Sequence, residues 1–250
     1  MPIFAIVNIT TEKISGSRAT LYLLPVPLSD VAPASVMPEH NIDIARSVKH
    51  FIVENVRSAR RFLKRCDPSI DISELSFVVL DEHTDPADVA EMLAPLADGM
   101  DMAVISEAGC PGGADPGALA VDAALRRGLG VQPLIGPSSI LLSLMASGFN
   151  GQKFAFEGYL PHDTATRQRR LKEMTGRINR EDQTQIFIET PYRNNRLIAE
   201  LSKTLPGSIR LCVCSDLTGV NQKIVCQTIS EWSRSSYNFD KIPAIFLLYK

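Results

Sequence analysis

Short apolar runs alternate with amphipathic stretches along the first half of the chain. Bounded by turn residues, the apolar runs predict strands at residues 21–26, 50–54, 76–81, 102–106 and 131–135. Between them, apolar residues recur at spacings of three and four and predict helices at residues 56–66, 87–96 and 119–127. Such alternation is typical of a mainly parallel sheet with right-handed crossovers.

The alternation continues into the second half and then changes character. It predicts helices at residues 138–146, 164–178 and 194–204, with strands at residues 154–160 and 185–189. The remaining chain is richer in strand, at residues 209–214, 223–229 and 244–249. The pattern therefore predicts an α/β protein built from two layers of this kind.

A long glycine-rich turn follows the apolar run that ends at residue 106. Its sequence is Glu107-Ala-Gly-Cys-Pro-Gly-Gly-Ala-Asp-Pro-Gly117, and a second glycine-proline loop, Gly136-Pro137-Ser138-Ser139, follows the next predicted strand. The carboxyl edge of an open α/β sheet is where small ligands bind, because backbone N–H groups and helix N-termini converge there. We interpret the first turn as a cofactor loop.

A capping residue followed by proline recurs at predicted helix starts. The pairs are Asp85-Pro86, Asp115-Pro116 and Thr190-Pro191, and the loop at Gly136 is a related entry. In each pair the side-chain oxygen can accept a hydrogen bond from a free N–H, while proline at the first helical position loses no bond. Three of these four follow strands that we expect to end at one sheet edge, so several helix N-termini would face a common crevice. Ordinary helix starts are the alternative explanation.

Composition narrows the class of protein only a little. The chain has 250 residues, which suffice for one large domain or two small ones, and its 26 basic and 28 acidic residues give a net charge of −2. With this charge no global field attracts nucleic acid, so a basic surface for a partner must be local.

Cysteine and histidine usage predicts neither a disulfide framework nor a metal site. The five cysteines form no C-x-x-C pair and the four histidines are scattered singly. A reducing cytoplasm fits this usage. The apolar start lacks a basic region, and no later apolar run approaches the roughly 18 residues of a membrane span. We expect a cytoplasmic protein that is neither exported nor membrane-bound.

Four ordered motifs carry a resemblance to a known family. They are Ser106-Glu-Ala-Gly-Cys-Pro-Gly-Gly-Ala-Asp-Pro-Gly117, Pro133-Leu-Ile-Gly-Pro-Ser-Ser139, Phe156-Glu-Gly-Tyr-Leu-Pro161 and Phe187-Ile-Glu-Thr-Pro-Tyr-Arg193. They resemble the motifs of the tetrapyrrole (corrin/porphyrin) methylase superfamily. They are most similar to its ribosomal RNA branch, small-subunit methyltransferase I, which methylates the ribose 2′-hydroxyl of a cytidine. Four motifs in order are more specific than any one of them.

The resemblance implies a two-domain fold and a methyl donor. Each domain would be a mostly parallel or mixed sheet flanked by helices, with S-adenosylmethionine in the cleft between them, and the protein would be a homodimer. The sequence alone places a boundary near Pro161, but the family places it near Gly136, which gives domains at residues 20–136 and 137–250. Residues 1–19 have no counterpart in the family, and we expect a disordered leader or a misassigned start.

The resemblance also implies which residues contact the cofactor. The first loop contributes Pro27 and Leu28, and Gly109 lets the main chain approach the ligand closely. The full set of expected cofactor contacts is Pro27, Leu28, Ala108, Gly109, Cys110, Pro111, Ser138, Ser139, Ile140, Thr190, Ser215, Asp216 and Ala244. Glu107 and Cys110 replace the aspartate and threonine of the branch. We assign Cys110 no chemical role, because methyl transfer needs no covalent intermediate.

The expected substrate-facing residues are Glu54, Arg57, Glu157, Tyr192 and Arg193. Glu54-Asn-Val-Arg57 resembles a Glu-Asp-Thr-Arg motif of the branch. The side chains of Glu54 and Arg57 either orient RNA or pair with each other. Tyr192 can stack on a base and Arg193 can hold phosphate, whereas the alternative is that Glu157 and Arg193 tie the two domains together. A ribose hydroxyl must lose its proton during methylation, but no residue is identified as the catalytic base.

Two predicted helices carry basic clusters, which are either phosphate contacts for RNA or solvated helix faces. The clusters are Arg57, Arg60, Arg61, Lys64 and Arg65 on one helix and Arg167, Arg169, Arg170, Lys172 and Arg177 on the other.

Departures from the branch keep three functions open. The first loop lacks a glycine and an asparagine, the stretch at residues 31–49 looks shortened, and Asp216-Leu-Thr-Gly219 replaces an expected Glu-Leu-Thr-Lys. The three hypotheses are an RNA methyltransferase, a methylase of a tetrapyrrole or other small molecule, and a cofactor-binding module with little or no activity. The residues that make up the motifs at Gly109, Glu157 and Thr190 favour the RNA methyltransferase.

Overall fold

The computed structural model describes residues 19–250, and its first half is built around a five-stranded parallel sheet. Residues 1–18, and with them nearly all of the expected leader, lie outside the described residues. The strands of this sheet are β1 (Thr20–Leu23), β2 (His50–Val53), β3 (Ser76–Val79), β4 (Met102–Ile105) and β5 (Gly130–Pro133). They lie in the order β3-β2-β4-β1-β5, and every neighbouring pair is parallel.

Both faces of the parallel sheet are covered, which explains why its strands are apolar runs rather than alternating ones. Phe51 and Ala103 point into a cluster on one face, and Ile52 and Met102 point into a cluster on the other. The helices that cover the sheet are α1 (Glu39–Ser47), α2 (Val56–Cys66), α3 (Val89–Met92), α4 (Ala94–Ala97) and α5 (Gly117–Arg126).

Two helices of this half differ from the sequence prediction. Helix α1 occupies the stretch that we expected to be shortened; only a few of its residues are apolar, but Ile42 and Ala45 are buried. The helix predicted at residues 87–96 is instead split into α3 and α4 at Leu93. Pro95 lacks the N–H that a continuous helix would use at that position, so the helical bonding pattern breaks there.

The second half forms a mixed five-stranded sheet. Its strands are β6 (Phe154–Tyr159), β7 (Thr184–Ile188), β8 (Arg210–Ser215), β9 (Lys223–Thr228) and β10 (Ala244–Tyr249). The order is β6-β7-β10-β8-β9, with β6 and β7 parallel and the other pairs antiparallel. The α/β class and the two-sheet architecture predicted from sequence are confirmed.

Helices cover both faces of the mixed sheet. The helices of this half are α6 (Ser139–Ser147), α7 (Thr164–Glu181), α8 (Asn194–Thr204) and α9 (Ile229–Trp232). Met174 of α7 and Leu201 of α8 are fully buried in the cluster that contains Phe187 and Phe246. On the opposite face, Leu144 of α6 packs in a cluster with Ile186. Within the described residues, no helix is both long and apolar enough to cross a membrane.

Helix α7 carries the second basic cluster, and three of its five cations make ion pairs inside this half of the protein. Arg167 is buried and holds Glu200 of α8 through two hydrogen bonds of 2.8 Å, while its remaining nitrogen donates to the carbonyls of Pro161 and His162. Arg170 and Arg177 both pair with the carboxylate of Glu157, whose side chain is 4% exposed. These cations are therefore structural rather than a free surface for RNA.

Removing Glu200, the ion-pair partner of the buried Arg167, is expected to destabilise the fold. We expect Glu200→Gln to lower the free energy of unfolding by about 3 kcal/mol, because an uncompensated charge then stays buried. The matched control is Glu173→Gln on α7, which removes an exposed ion pair to Arg170 and is expected to cost less than about 0.5 kcal/mol. Urea unfolding of both variants measures the difference. Equal losses would contradict a structural role for the Arg167 pair.

Candidate functional site

Three loops meet at the carboxyl edge of the parallel sheet. Strands β1 and β4 are neighbours, but the chain leaves β1 toward β2 and leaves β4 toward β5, so the two connections run in opposite directions. Such a switch point leaves a crevice at the strand ends. The loops after β1 and β4 join there through a two-residue bridge, in which the N–H groups of Val26 and Gly109 each donate to the other's carbonyl at 2.9 Å.

The third loop, after β5, is fixed against the other two. The Leu134 N–H donates to the Leu23 carbonyl at 3.1 Å, and the Cys110 thiol donates to the Pro137 carbonyl at 3.4 Å. Gly136 packs so closely on Pro25 that a Cβ there would lie 2.2 Å from the proline Cβ. Burial raises the pKa of Cys110, with a further contribution from Asp115. The sulfur therefore stays a protonated donor and has a structural role.

A cleft opens between these loops and the mixed sheet. Its volume is about 330 Å³ on the side of the parallel sheet, and an adjoining space of about 300 Å³ reaches the ends of β7, β8 and β10. Leu28, Ala108 and Ser139 line both spaces, so they are one continuous site. Clefts of about 300–1,000 Å³ with mostly apolar walls are typical of sites for small molecules and cofactors.

Most of the residues expected at the cofactor line this cleft. They are Leu28, Ala108, Gly109, Cys110, Ser138, Ser139, Ile140 and Ala244. Gly109 has φ +76°, and a Cβ there would lie 3.1 Å from the Leu28 side chain, so both backbone conformation and space favour glycine. Ser138 caps α6 by accepting from the Leu141 N–H at 3.5 Å. Pro27, Pro111, Thr190, Ser215 and Asp216 lie beside the cleft but are not among its lining residues.

Two of these five have their polar side chains bonded elsewhere. The Ser215 hydroxyl is buried and donates to the Lys223 carbonyl at 3.4 Å, while the Asp216 carboxylate accepts from the Asn221 N–H at 2.9 Å. A Cβ added at Gly219 would lie 2.1 Å from an Asp216 oxygen. The turn after β8 is thus closed on itself, and Gly219 lies directly against the Asp216 carboxylate.

The cap predicted for Thr190 is wrong. Thr190 precedes a 3₁₀ turn over Pro191–Arg193, but its hydroxyl makes no capping bond and instead donates to the Glu189 carboxylate at 3.3 Å. The proline prediction holds, because Pro191 begins the turn. At Asp115 the carboxylate accepts from the N–H groups of Gly112 and Gly117 at 3.0 and 2.9 Å, which folds the glycine-rich turn onto the start of α5.

A group of carboxylates lies at the parallel-sheet side of the cleft. Glu54, Glu107 and Asp115 all line it. The Glu54 carboxylate accepts from the Glu107 N–H at 3.0 Å, and the Ser58 hydroxyl donates to the Glu107 carboxylate. Burial raises the pKa of Glu54, assisted by the charges of Asp115 and Glu107 and opposed by that hydrogen bond. This side of the cleft therefore attracts positively charged ligand groups.

The other expected substrate-facing residues are spread around the site. Neither of the two pairings that the sequence left open as alternatives forms: Glu54 does not bond Arg57, and Glu157 is held by α7 rather than by Arg193. Arg193 instead contacts His162 and lies 3.5 Å from the Glu189 carboxylate. The idea that Glu157 and Arg193 join the two halves is therefore wrong. Tyr192 is 76% exposed, and neither it nor Arg57 lines the cleft.

Several lining residues from the half of the chain that holds the mixed sheet were not predicted from sequence. They are Phe156, Tyr159, Ile188, Glu189, Pro191, Cys214, Leu217, Pro243 and Ile245. Tyr159 reaches the cleft because the pairing of β6 with β7 shifts between Phe156 and Tyr159, where Gly158 has φ +66°. The Phe156-Glu-Gly-Tyr-Leu-Pro161 motif contained a signal for this bulge, its internal glycine. Among the described residues, no three His, Cys, Asp or Glu side chains are arranged so that they could hold a metal ion, the carboxylates of the cleft included.

The chain is similar in sequence to known methyltransferases. No family model matches the chain. It is 30% identical over 218 residues to ribosomal RNA small subunit methyltransferase I of Mycobacterium tuberculosis, covering 86% of this chain and 72% of that protein. The Xylella fastidiosa protein of the same name is 29% identical over 216 residues, covering 86% and 74%.

Solved structures share the fold at lower sequence identity. A diphthine synthase matches with a TM-score of 0.64 and 14% identity, over 92% of this chain and 90% of that one. The methyltransferase CobJ matches with a TM-score of 0.61 and 14% identity, over 93% of both chains. The fold predicted from the four motifs is confirmed by these neighbours.

The raised pKa of Glu54 predicts how stability depends on pH. The folded chain holds this proton more tightly than the unfolded chain, so the contribution of Glu54 to stability falls as the pH rises through 4.5 and then through the raised pKa. Glu54→Gln removes this loss and can keep the bond to the Glu107 N–H. We therefore expect the free energy of unfolding of the variant, relative to the unsubstituted protein, to increase from about pH 4 to pH 8.

Glu231→Gln is the control with the opposite sign. Hydrogen bonds from the Thr228 N–H and hydroxyl lower the pKa of Glu231, so its contribution to stability is present above pH 4.5 and is lost as the pH falls through the lowered pKa. At neutral pH this variant should have a lower free energy of unfolding than the unsubstituted protein, and the difference should shrink as the pH falls. Urea unfolding of both variants across the pH range tests the pair, and parallel pH profiles would contradict the assignment.

Proposed function

The chain belongs to the family of ribosomal RNA small subunit methyltransferase I, and from this membership we propose that it transfers a methyl group from S-adenosylmethionine to the ribose 2′-hydroxyl of a cytidine in the RNA of the small ribosomal subunit. One structural observation supports the proposal above all. The loop at Gly109 and the helix entry at Ser138 line one cleft together with the ends of the mixed sheet. This cleft lies where the family motifs predict a cofactor.

The residues of the cleft fit S-adenosylmethionine. Leu28, Ile140 and Ile188 offer an apolar surface to the adenosine, and Gly109 lines the same cleft without adding a side chain to it. The carboxylates of Glu54 and Glu107 complement the positive sulfonium and amino groups. When bound, S-adenosylmethionine supplies an electrophilic methyl carbon. The protein has to align the hydroxyl with that carbon and exclude water.

The remaining predictions from the family are included in the proposal. We propose that the chain divides after residue 136, that it acts as a homodimer, and that it works in the cytoplasm. The five cysteines are all unpaired thiols within the described residues, which supports a reducing compartment. Tyr192, which is exposed beyond β7, is suited to stack on an unpaired base.

Methyl transfer to the ribosome is the direct test. Small ribosomal subunits from a strain that lacks this activity are incubated with the protein and methyl-labelled S-adenosylmethionine. We expect the label in RNA, at one position that resists alkaline cleavage, because a 2′-O-methyl ribose cannot attack the adjacent phosphate. Label in a base, transfer to a tetrapyrrole but not to RNA, or cofactor binding without transfer would each contradict the proposed substrate.

Filling the cleft is expected to weaken cofactor binding. Ala108 is exposed within the cleft, and Ala108→Leu adds bulk to its wall. We expect affinity for S-adenosylmethionine, measured by calorimetry, to fall about tenfold or more, since overpacking a fitted site costs roughly 1–3 kcal/mol. Ala97→Leu is the control, because Ala97 is exposed on α4 and does not line the cleft. Unchanged affinity in Ala108→Leu would place the cofactor elsewhere.

A further inference from the structure

Helix α2 carries a run of cations and no acidic residue. It begins directly after β2, and its positive side chains are Arg57, Arg60, Arg61, Lys64 and Arg65. All five are exposed, whereas Phe62 and Leu63 are buried against the parallel sheet. The sequence left two explanations open for these cations, a surface for phosphates or an ordinary solvated face.

Three of the five cations have partners within the protein. The Arg60 guanidinium lies over the Phe77 ring, 5.3 Å from its centroid. Lys64 donates to the Pro68 carbonyl at 2.9 Å. Arg65 pairs with Asp30 at 3.0 Å. These three side chains therefore already make contacts with neighbouring parts of the protein.

Arg57 and Arg61 differ from the other three. Within residues 19–250 the structure gives neither side chain a hydrogen bond, an ion pair or a ring contact. Residues four apart lie on the same face of a helix, where two like charges destabilise it. Arg57 is also in the first turn, where the helix dipole disfavours a cation. Helix stability therefore does not account for this pair.

The first turn of α2 lies at the rim of the cleft. Glu54, three residues before Arg57, is on the cleft wall. Ser58, the residue after Arg57, donates its hydroxyl to the cleft residue Glu107. Asn55 fixes this turn by accepting from the N–H groups of Arg57 and Ser58 at 2.9 and 3.3 Å. A strand that enters the cleft over Glu54 and Glu107 would pass close to this turn.

We propose that Arg57 and Arg61 form a docking surface for the phosphate backbone of the RNA whose ribose enters the cleft. The inference rests on the proposed function and names the surface by which that substrate is held. The partner is RNA rather than an acidic protein because two guanidinium groups without a partner among residues 19–250 lie four residues apart on the helix that begins at the rim of the proposed ribose site, a spacing that suits the repeated phosphates flanking a ribose. The net charge of −2 gives no other general attraction for RNA.

The test compares two double variants that remove the same charge. Arg57→Gln with Arg61→Gln removes the proposed surface. Arg169→Gln with Lys172→Gln removes two exposed cations of α7, which also have no ion pair among the described residues. Methyl transfer to undermethylated small subunits is measured over a range of salt concentrations. Calorimetry with S-adenosylmethionine and a thermal melt establish that both variants fold and bind the cofactor.

For the α2 variant we expect the KM for the subunit to rise about tenfold, with the slope of log affinity against log salt reduced by about 1–2, because two phosphate contacts are lost. Cofactor affinity should be unchanged, and the α7 variant should behave like the unsubstituted protein. Equal losses in both variants, or no loss in the α2 variant, would overturn the inference. An unchanged salt slope with a raised KM would also overturn it, because the lost contacts would then not be contacts to charged phosphates. A complete absence of transfer by the unsubstituted protein would contradict the proposed function rather than the docking surface.

Discussion

The bridge between Val26 and Gly109 is the contact on which the site depends. Parallel strands bring their carboxyl ends to one edge, but nothing in the sheet itself fixes the loops beyond them. The paired hydrogen bonds join the loop after β1 to the loop after β4 and hold both at the point where the chain changes direction. Gly109 is suited to this role because its φ of +76° is unfavourable for other residues.

Two further contacts between the loops, those of Cys110 and Gly136, depend on this bridge. Once the β4 loop is placed, Cys110 can donate to the backbone of the third loop, and that loop is pressed against Pro25 at Gly136. The mixed sheet closes the cleft from the opposite side, where Leu28 packs in the same apolar cluster as Ile188 and Leu144. Ser29 and Thr218 add a hydroxyl contact of 3.1 Å between the two halves. The walls of the cleft are thus fixed by contacts within the protein.

The sequence predicted the elements with the strongest apolar or amphipathic pattern. Helices α2 and α8 and strand β10 have the predicted bounds, because their periodicity and their ends are both marked in the sequence. Helix α1 escaped prediction because its few apolar residues give a weak periodic signal. The helix expected across Pro95 was split, since a proline within a helical pattern removes one hydrogen bond.

The candidate site was predictable where it consists of backbone and much less where it depends on side-chain partners. Glycine and proline positions predicted the loops around Gly109 and Gly136. The partners of charged residues were not predictable, because Glu157 meets Arg170 and Arg177 only after β6 and α7 have packed. The apolar wall from the mixed sheet was missed for the same reason, since Leu217 and Ile245 read in sequence as ordinary core residues.

The short segment between the two sheets has a mechanical consequence. Leu134 is bonded to β1, whereas α6 is packed on the mixed sheet from its first turns onward. Any rotation of one sheet against the other must therefore be absorbed by the torsions of residues 135–138 in this connection. Pro137 has a restricted φ, and Gly136 is confined by Pro25, so little torsional freedom is available there. This stiff connection therefore acts together with the contacts of Leu28 and Ser29 to limit how far the gap between the two sheets can widen.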